Sequence, residues 1–275
     1  MGSFDFPESI LLAHIYAGAL AAKGFPVRVM PDLGTRELVD PALMEGLIQL
    51  VPEYSGSALD FLSLGRRAAT SNAAATYQAM TRTAARRGLV TARPAPAQDA
   101  NAIVVTAATA ARYHLRSIAD LVKVARGLVF GGPPECRERT DCLLGLKRIY
   151  GLRFKTFVAT DTGGPVTLQA LDAGQIGAAL LFTTDPGIAA RHLAILTDSR
   201  SLQPAENITP LVRRSTIERY GPRLLATLNA VSAHLTTATL RYLNGRVQLH
   251  GATPRTVASG WLSAQALIPR RQDVP

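Results

Sequence analysis

The chain has 275 residues, enough for one large domain or two small ones with a buried core. Its residues are 47% hydrophobic and 18% charged, a composition that excludes a disordered chain and a coiled coil. The formal net charge is +10, but the basic residues occur singly or in pairs, without zinc-finger spacing or interleaved aromatic residues. This pattern argues against nucleic-acid binding and leaves attraction to an anionic lipid or cell-envelope surface as a minor alternative.

The first hundred residues predict short strands between helices, as in α/β domains. Asp5 is expected to cap a helix from Pro7 to Gly24, with Glu8 three residues on as its capping-box partner. Thr35 is expected to cap the next helix. The further predicted elements are strands at 27–30, 48–51 and 102–106 and a helix at 70–87.

The next block predicts the same alternation of strand and helix. Ser117 is expected to cap a helix at 118–125, and Asp185 to begin a helical turn at 185–190. From residue 215 onward the pattern is helical. The other predicted elements of the block are strands at 128–130, 156–159, 176–182 and 193–196 and helices at 143–150 and 163–173.

This order predicts two α/β lobes, one inserted in the other. Lobe I comprises residues 1–103 plus 208–275, lobe II comprises residues 104–207, and two segments cross between them. Two such lobes on a double hinge form a cleft that closes on a ligand. Loops after the carboxyl ends of strands are expected to face that cleft.

The sequence lacks the common motifs of catalysis and nucleotide binding. It has no phosphate-binding glycine loop, no dinucleotide fingerprint and no nucleophile elbow, and its histidines are isolated. We therefore expect no catalytic residues, no metal and no cofactor. No run of about 18 apolar residues occurs, and residues 224–240 are typical of a surface helix. No secretory signal is evident, so the protein is either cytosolic or the chain begins after its targeting segment.

The two cysteines, Cys136 and Cys142, are six positions apart on a turn that leads into a helix. They can reach disulfide distance, and the bond is expected only if the protein is exported, since the redox compartment decides it. The alternative is a pair of free buried thiols in a cytosolic protein.

Acidic and aromatic residues near strand ends are the candidate ligand contacts. Several acids in a protein of this charge hint at a cationic ligand, and ring faces hold a quaternary ammonium, which cannot donate a hydrogen bond. The alternatives are helix capping for Asp5 and Asp185 and core packing for the phenylalanines. The residues concerned are Asp5, Glu53, Asp161, Asp185 and Glu206, and Phe4, Phe6, Tyr54 and Phe182.

Five blocks in this order resemble one known family. The sequence is similar to the substrate-binding proteins of osmoprotectant ABC importers, the glycine betaine, carnitine and choline group. The cysteine segment and the arginine bias resemble the branch found in actinobacteria, including mycobacteria. The blocks are GSFDFPES (2–9), LGTRELV (33–39), PEYSGSAL (52–59), AALLFTTDP (178–186) and QPAENITP (203–210).

The resemblance implies a type II periplasmic-binding-protein fold without catalysis. It also implies an extracytoplasmic receptor, lipid-anchored to the plasma membrane in the full-length protein. The receptor would act as a monomer and deliver its ligand to an ABC permease and its ATPase subunit. Since family chains begin with a strand before the first block, this chain resembles one trimmed of its signal and anchor.

The resemblance also implies which residues form the ligand cage. Tyr54 matches one cage tyrosine and Phe182 another, while Asn101 and Glu206 stand where the family has aromatic residues. Because these two positions are polar here, the alternatives to a betaine ligand are a choline-like cation and a polar or phenolic molecule. Tyr54 and Phe182 would stack on the ligand, and Ser3 and Phe6 complete the set. Charge would come from Asp5, Asp161 and Glu206, and hydrogen bonds from Thr35, Asn101 and Thr184.

A different class of protein uses the same two-lobe scaffold. An intracellular enzyme or regulatory domain would be built in the same way, since fold does not fix function. A phosphate-handling member would need a glycine-rich loop and clustered basic residues, and neither is evident. The receptor is therefore the leading hypothesis.

Overall fold

The computed structural model describes residues 1–66 and 69–269. The chain forms two compact units: the first comprises Met1–Gln98 and Ala205–Pro275, and the second comprises Asp99–Pro204. The sequence analysis placed these boundaries at 103/104 and 207/208. The difference at the first boundary arises because the strand that begins at Asn101 pairs with strands of the second unit.

The helices and strands alternate along most of the chain. The α-helices are α1 (Pro7–Ala22), α2 (Arg36–Glu45), α3 (Ser55–Leu62), α4 (Ala73–Arg86), α5 (Ala107–Tyr113), α6 (Leu143–Tyr150), α7 (Pro165–Asp172), α8 (Pro186–Ala190), α9 (Arg214–Tyr220), α10 (Pro222–His234), α11 (Thr237–Gln248) and α12 (Pro254–Ala264). The strands are β1 (Leu50–Tyr54), β2 (Leu89–Thr91), β3 (Asn101–Thr106), β4 (Val129–Gly132), β5 (Thr156–Ala159), β6 (Ala178–Phe182), β7 (Leu193–Ile195) and β8 (Ile208–Arg213). Short 3₁₀ helices lie at Ile118–Lys123, Ala125–Gly127 and Pro134–Arg137.

The first unit has a three-stranded antiparallel sheet in the order β1-β8-β2. The register pairs Leu50 with Val212 and Tyr54 with Ile208. Helix α1 packs against α10, α11 and α12, and the unit has one hydrophobic core that includes the buried Trp261. This core fixes the end of β1 from which the site residue Tyr54 projects.

The second unit has a five-stranded mixed sheet in the order β5-β4-β6-β3-β7. Strand β4 runs parallel to β5 and β6, and β3 runs antiparallel to β6 and β7. Successive side chains of a strand point to opposite faces. Accordingly, Ile103 and Val105 lie in one apolar cluster, whereas Ala102 and Val104 lie in another. Both faces of this sheet are therefore covered.

The predicted helix starts are partly confirmed. The Asp185 side chain accepts a hydrogen bond from the Gly187 backbone at the start of α8, and Ser117 forms a capping box with Asp120. Helix α1 is present as predicted, but its predicted cap Asp5 is wrong, because the N-cap residue is Phe6, which makes no side-chain cap bond. Thr35 is the N-cap residue of α2, but its side chain does not make the predicted bond.

Other predicted elements differ in their extent. The helix 143–150 and the strand 156–159 are confirmed to the residue. The predicted strand 27–30 is wrong, since only Met30 forms a bridge, to Gly2. The helix predicted at 70–87 begins later because the Asn72 side chain caps it. In the described ranges, no helix combines the length and the apolar character needed to cross a bilayer.

Candidate functional site

Three aromatic rings meet in the first unit, and we call them the ring cluster: Phe4, Phe6 and Tyr54. The Phe4 and Phe6 ring centroids are 5.8 Å apart and nearly parallel, and those of Phe6 and Tyr54 are 5.9 Å apart. Phe4 and Tyr54 are buried, whereas Phe6 is half-buried. Phe6 is therefore the ring of the cluster with the most surface for a ligand.

Tyr54 is held at both its hydroxyl and its backbone. The hydroxyl donates to Glu8 Oε1 at 2.9 Å, and the backbone N–H donates to Glu53 Oε2 at 2.6 Å. Glu8 is buried and also accepts from Asn244 Nδ2 at 2.5 Å. The Glu8 carboxylate thus points into the unit, which explains why it does not form the predicted capping box.

A buried ion pair lies beside the ring cluster. Arg36 Nε donates to Glu53 Oε1 at 2.7 Å, and Arg36 Nη2 donates to Glu53 Oε2 at 3.2 Å. The Arg36 guanidinium also lies 5.0 Å from the centroid of the Phe4 ring. Burial alone would lower the pKa of Arg36, but the Glu53 carboxylate holds this pKa above its usual value. Arg36 therefore joins the start of α2, the end of β1 and the ring cluster.

Asp40 is a second acid at this ion pair. It is fully buried, and neither of its carboxylate oxygens accepts a hydrogen bond from a residue that the structure describes. Burial, followed by the charge of Glu53, raises the pKa of Asp40 well above its usual value. This acid thus favours its neutral form, which lowers the cost of burying it.

The Glu206 carboxylate accepts hydrogen bonds from the first residues of α3. Its Oε2 accepts from the backbone N–H groups of Gly56 and Ser57 at 3.0 and 3.1 Å, and its Oε1 accepts from Ser57 Oγ at 2.7 Å. Carboxylates are favoured at helix N-termini, where backbone N–H groups lack partners. Glu206 therefore holds the start of α3, and its predicted role as a ligand charge stays a prediction.

The remaining predicted residues of the first unit differ in exposure. Ser3 is buried, and its hydroxyl donates to the Phe4 carbonyl and accepts from the Asp32 N–H. Its predicted ligand contact stays a prediction beside these contacts within the fold. Asp5 is exposed, and Thr35 is half-buried at the start of α2.

In the second unit, Asn101 and Phe182 face one another across β3 and β6. They are register partners, and both are half-buried. The Phe182 ring lies so close to Gly163 that an added Cβ there would be 2.6 Å from Phe182 Cδ2. Gly163 also has a positive φ of 66°, which favours glycine. The second unit thus brings Asn101 and Phe182 together beside this turn.

The other two predicted residues of the second unit hold its backbone. Asp161 Oδ1 accepts from Thr167 N at 2.9 Å, and Oδ2 accepts from Val166 N at 2.9 Å, so this acid caps α7. Thr184 is buried, and its hydroxyl donates to Asp99 Oδ1 at 2.7 Å. These contacts hold Asp161 and Thr184 within the second unit, and their predicted ligand roles stay predictions.

A disulfide joins Cys136 to Cys142, with their Cα atoms 5.2 Å apart. The turn that it closes carries Asp141, whose Oδ2 accepts from Asn101 Nδ2 at 3.0 Å. The Asp141 carbonyl accepts from Gln203 Nε2 at 3.0 Å. The turn therefore places an acid beside a predicted site residue.

Sequence reasoning missed four polar residues that shape the site: Arg36, Asp40, Asp99 and Asp141. Arg36 directly follows the predicted cap Thr35, and Asp141 precedes Cys142, so both lie next to residues that were singled out. No local pattern marks the partners of Asp40 or Asp99. Across residues 1–66 and 69–269, no group of three or more His, Cys, Asp or Glu side chains is arranged to hold a metal ion.

Comparison with known proteins places this geometry in a family. The model of the substrate-binding domain of the ABC-type glycine betaine transport system matches residues 1–264. The glycine betaine-binding protein YehZ of Escherichia coli is 30% identical over 274 residues, which are 95% of this chain and 88% of YehZ. A glycine-betaine-binding protein of Pseudomonas aeruginosa is 27% identical over 277 residues, 98% of this chain and 88% of that protein.

A solved structure shares the fold. The crystal structure of a glycine betaine/carnitine/choline ABC transporter matches with a TM-score of 0.76 and 22% sequence identity. The match covers 97% of this chain and 98% of that chain. The fold is the type II periplasmic-binding-protein fold. Members of the family are extracytoplasmic binding proteins that bind small ligands and work with ABC permease components, and they are not enzymes. The chain belongs to the family of substrate-binding domains of ABC-type glycine betaine transport systems and is a solute-binding receptor of that class.

Proposed function

We propose that this chain binds a small quaternary-ammonium solute of the glycine betaine, choline or carnitine type and delivers it to a permease. The names of YehZ and the Pseudomonas aeruginosa relative support glycine betaine, and that of the similar solved structure supports choline and carnitine. The observation that carries the proposal is the ring cluster, with Phe6 half-buried at its edge.

The ring cluster suits a cation that cannot donate hydrogen bonds. A quaternary ammonium is attracted to ring faces by about 0.5–2 kcal/mol for each contact. Phe6 and Tyr54 supply rings in the first unit, and Phe182 supplies one in the second. Thr35 and Asn101 supply polar groups for the rest of the solute. Within the first unit the Phe6 and Tyr54 rings pack on one another, and within the second the Phe182 ring lies against Gly163.

Further properties of the receptor are also part of the proposal. We infer that it releases its solute unchanged, works as a monomer with a permease and its ATPase subunit, and is held to the membrane by a lipid anchor. The cysteine pair and the arginine bias support an actinobacterial branch of the family. The anchor is tested by two observations: a signal sequence that ends before a cysteine in the full gene, and an acylated N-terminal cysteine in the mature protein, found by mass spectrometry.

Titration calorimetry with glycine betaine, choline, carnitine and proline betaine tests the ligand class. We expect heat of binding with at least one of them. F6A and F182A should each weaken that binding about tenfold, since one ring contact is worth about 1.4 kcal/mol. F25A and F154A are matched controls, because those rings pack against Tyr220 and Phe130 within their own units.

The contrary outcomes are distinct. Correctly folded protein that gives no heat with any of the four solutes would remove the quaternary-ammonium ligand but not the receptor class. Equal losses in the F6A and F25A variants would show that the ring cluster acts through stability rather than ligand contact.

A further inference from the structure

We infer that Asp141 supplies the negative charge that faces the bound ammonium, so that the receptor prefers a cationic alcohol of the choline class to a zwitterionic betaine. This inference rests on the proposed function, because it names the solute within that class. It also assigns a ligand role to a residue that the sequence analysis did not single out.

The first argument is that two of the acids predicted to face the ligand have carboxylates that are bonded to backbone. Asp161 and Glu206 each accept several backbone N–H groups at a helix start. Asp141 instead accepts hydrogen bonds only from neutral groups. The Asn101 side-chain amide donates to its carboxylate and its backbone carbonyl, and the Gln203 side-chain amide donates to the same carbonyl. No cation among the described residues pairs with its carboxylate, so its charge is not cancelled locally.

The arginines of the same turn are engaged elsewhere. Arg139 Nη2 lies 3.6 Å from Glu135 Oε1, and the Arg137 guanidinium lies 4.9 Å from the centroid of the Phe157 ring. A guanidinium that faced Asp141 would favour a carboxylate-bearing solute. With both arginines held by other groups, the turn presents an acid.

The second argument is position. Asn101 and Phe182 are directly opposed on antiparallel strands, where side chains share a face and Cβ atoms are about 4.5–5.5 Å apart. The Asn101 amide bonds the Asp141 carboxylate at 3.0 Å. Asp141 is therefore one side chain away from the proposed ring contact, and it is half-buried rather than enclosed.

The third argument is that Asp141 is fixed in place. The Cys136–Cys142 disulfide closes its turn on one side, and Gln203 donates to its carbonyl from another segment. A charge on a tethered turn is oriented before the solute binds, so little conformational freedom is lost on binding. These constraints separate Asp141 from the exposed Asp5.

The charge discriminates between the two classes of solute. A carboxylate attracts the ammonium group of choline, and it can accept the hydroxyl proton of choline. It repels the carboxylate of glycine betaine, whose net charge is zero. Specificity of this kind combines attraction to one solute with repulsion of the other.

Calorimetric titration of D141N with choline and with glycine betaine tests the inference. The wild-type protein should bind choline more tightly than glycine betaine. D141N keeps the shape and loses the charge, so it should bind choline about tenfold more weakly and glycine betaine equally or more tightly. D141E should keep the preference for choline. D172N is the control, because Asp172 is half-exposed and pairs with Arg191 in the same unit.

Each outcome decides the question. An equal loss for both solutes in D141N would show that Asp141 only supports the fold, and an unchanged ratio of affinities would show that its charge does not reach the solute. Either result, or a wild type that prefers glycine betaine, overturns this inference and leaves the proposed function standing. A folded wild type that binds neither solute overturns both.

Discussion

The two units differ in how deeply they bury the polar and charged residues beside their candidate ligand-binding rings. In the first unit, Arg36, Glu53 and Glu8 are wholly or largely buried and bonded to one another or to the ring cluster. In the second unit, Asn101 and Asp141 are half-buried and meet on a turn closed by a disulfide. The first unit fixes its rings with interior charges, whereas the second leaves the polar groups beside Phe182 half-buried.

This difference indicates a division of labour in binding. Interior ion pairs are costly to bury and strongly destabilising to break, so they hold a geometry firmly. Half-buried polar groups keep their charge accessible and are better placed to distinguish solutes. We therefore expect substitutions in the first unit to cost stability, and those at Asn101 or Asp141 to change solute preference.

The largest expected effect comes from R36M. The substitution leaves Glu53 fully buried without its cation, so the free energy of unfolding should fall by about 3–5 kcal/mol. Denaturant unfolding followed by the fluorescence of Trp261 measures this. Trp261 is the one tryptophan of the sequence and lies in the first unit. R191M is the control and is followed by circular dichroism, because Arg191 lies in the second unit; it pairs with Asp172 near the surface, and its loss should cost less than about 1 kcal/mol. Equal costs in the two variants would contradict the comparison.

Loss of the disulfide should have the next largest effect and should act on the second unit. Closing a loop of this size stabilises by about 2–3 kcal/mol in the chain-entropy model. C136S/C142S should therefore lower the unfolding transition seen by circular dichroism by that amount, with the transition of Trp261 fluorescence moving less. A reducing agent should lower the wild type to the same level and leave the variant unchanged. Equal shifts of both signals would mean that the two units unfold together.

The two helix-capping acids allow a direct comparison between the units. Glu206 is buried, so E206A leaves the N–H groups of Gly56 and Ser57 without partners in the interior, at about 2–3 kcal/mol. Asp161 is half-buried, and D161A should cost about 1–2 kcal/mol because water can replace part of the cap. Thermal unfolding of both variants measures the difference. A larger loss in D161A would contradict the view that the first unit depends more on interior charge.

Much of the fold could be predicted because strands and helices follow one another at regular intervals. Helix α6 and strand β5 agree to the residue. Strand β8 is absent from the predicted elements; it contains Pro210, and proline is rare in central strands. The structure places Pro210 opposite Pro52 in the middle strand of the first sheet. Helix α5 was missed because none of its side chains is buried, so it has no apolar stripe.

The candidate site was less predictable than the fold. Its rings could be found from the sequence, since Phe6 and Tyr54 directly precede helices. The roles of the acids could not, because an aspartate or glutamate near a strand end can equally cap a helix or face a ligand. Glu206 caps α3, which begins some 150 positions earlier in the chain, and local sequence cannot reveal such a partner.

The smallest expected effect, when it is counted per pH unit, concerns the pH dependence of stability at Asp40. Its pKa is raised in the folded protein above the usual value of 3.8, first by burial and then by Glu53. The folded state therefore binds a proton more readily than the unfolded state, so the contribution of Asp40 to stability increases as pH falls through the raised pKa toward 3.8. D40N mimics the neutral acid and should lose this dependence. The free energies of unfolding of the two proteins should therefore diverge by at most about 1.4 kcal/mol per pH unit.

Chemical denaturation of both proteins between pH 4 and 8, a range chosen to span about four units above 3.8, measures this difference. The titration of the other acids is the same in both proteins and cancels. Parallel curves would mean that Asp40 is charged in the fold, and the first unit would then hold a further buried ion rather than a neutral acid beside its ion pair.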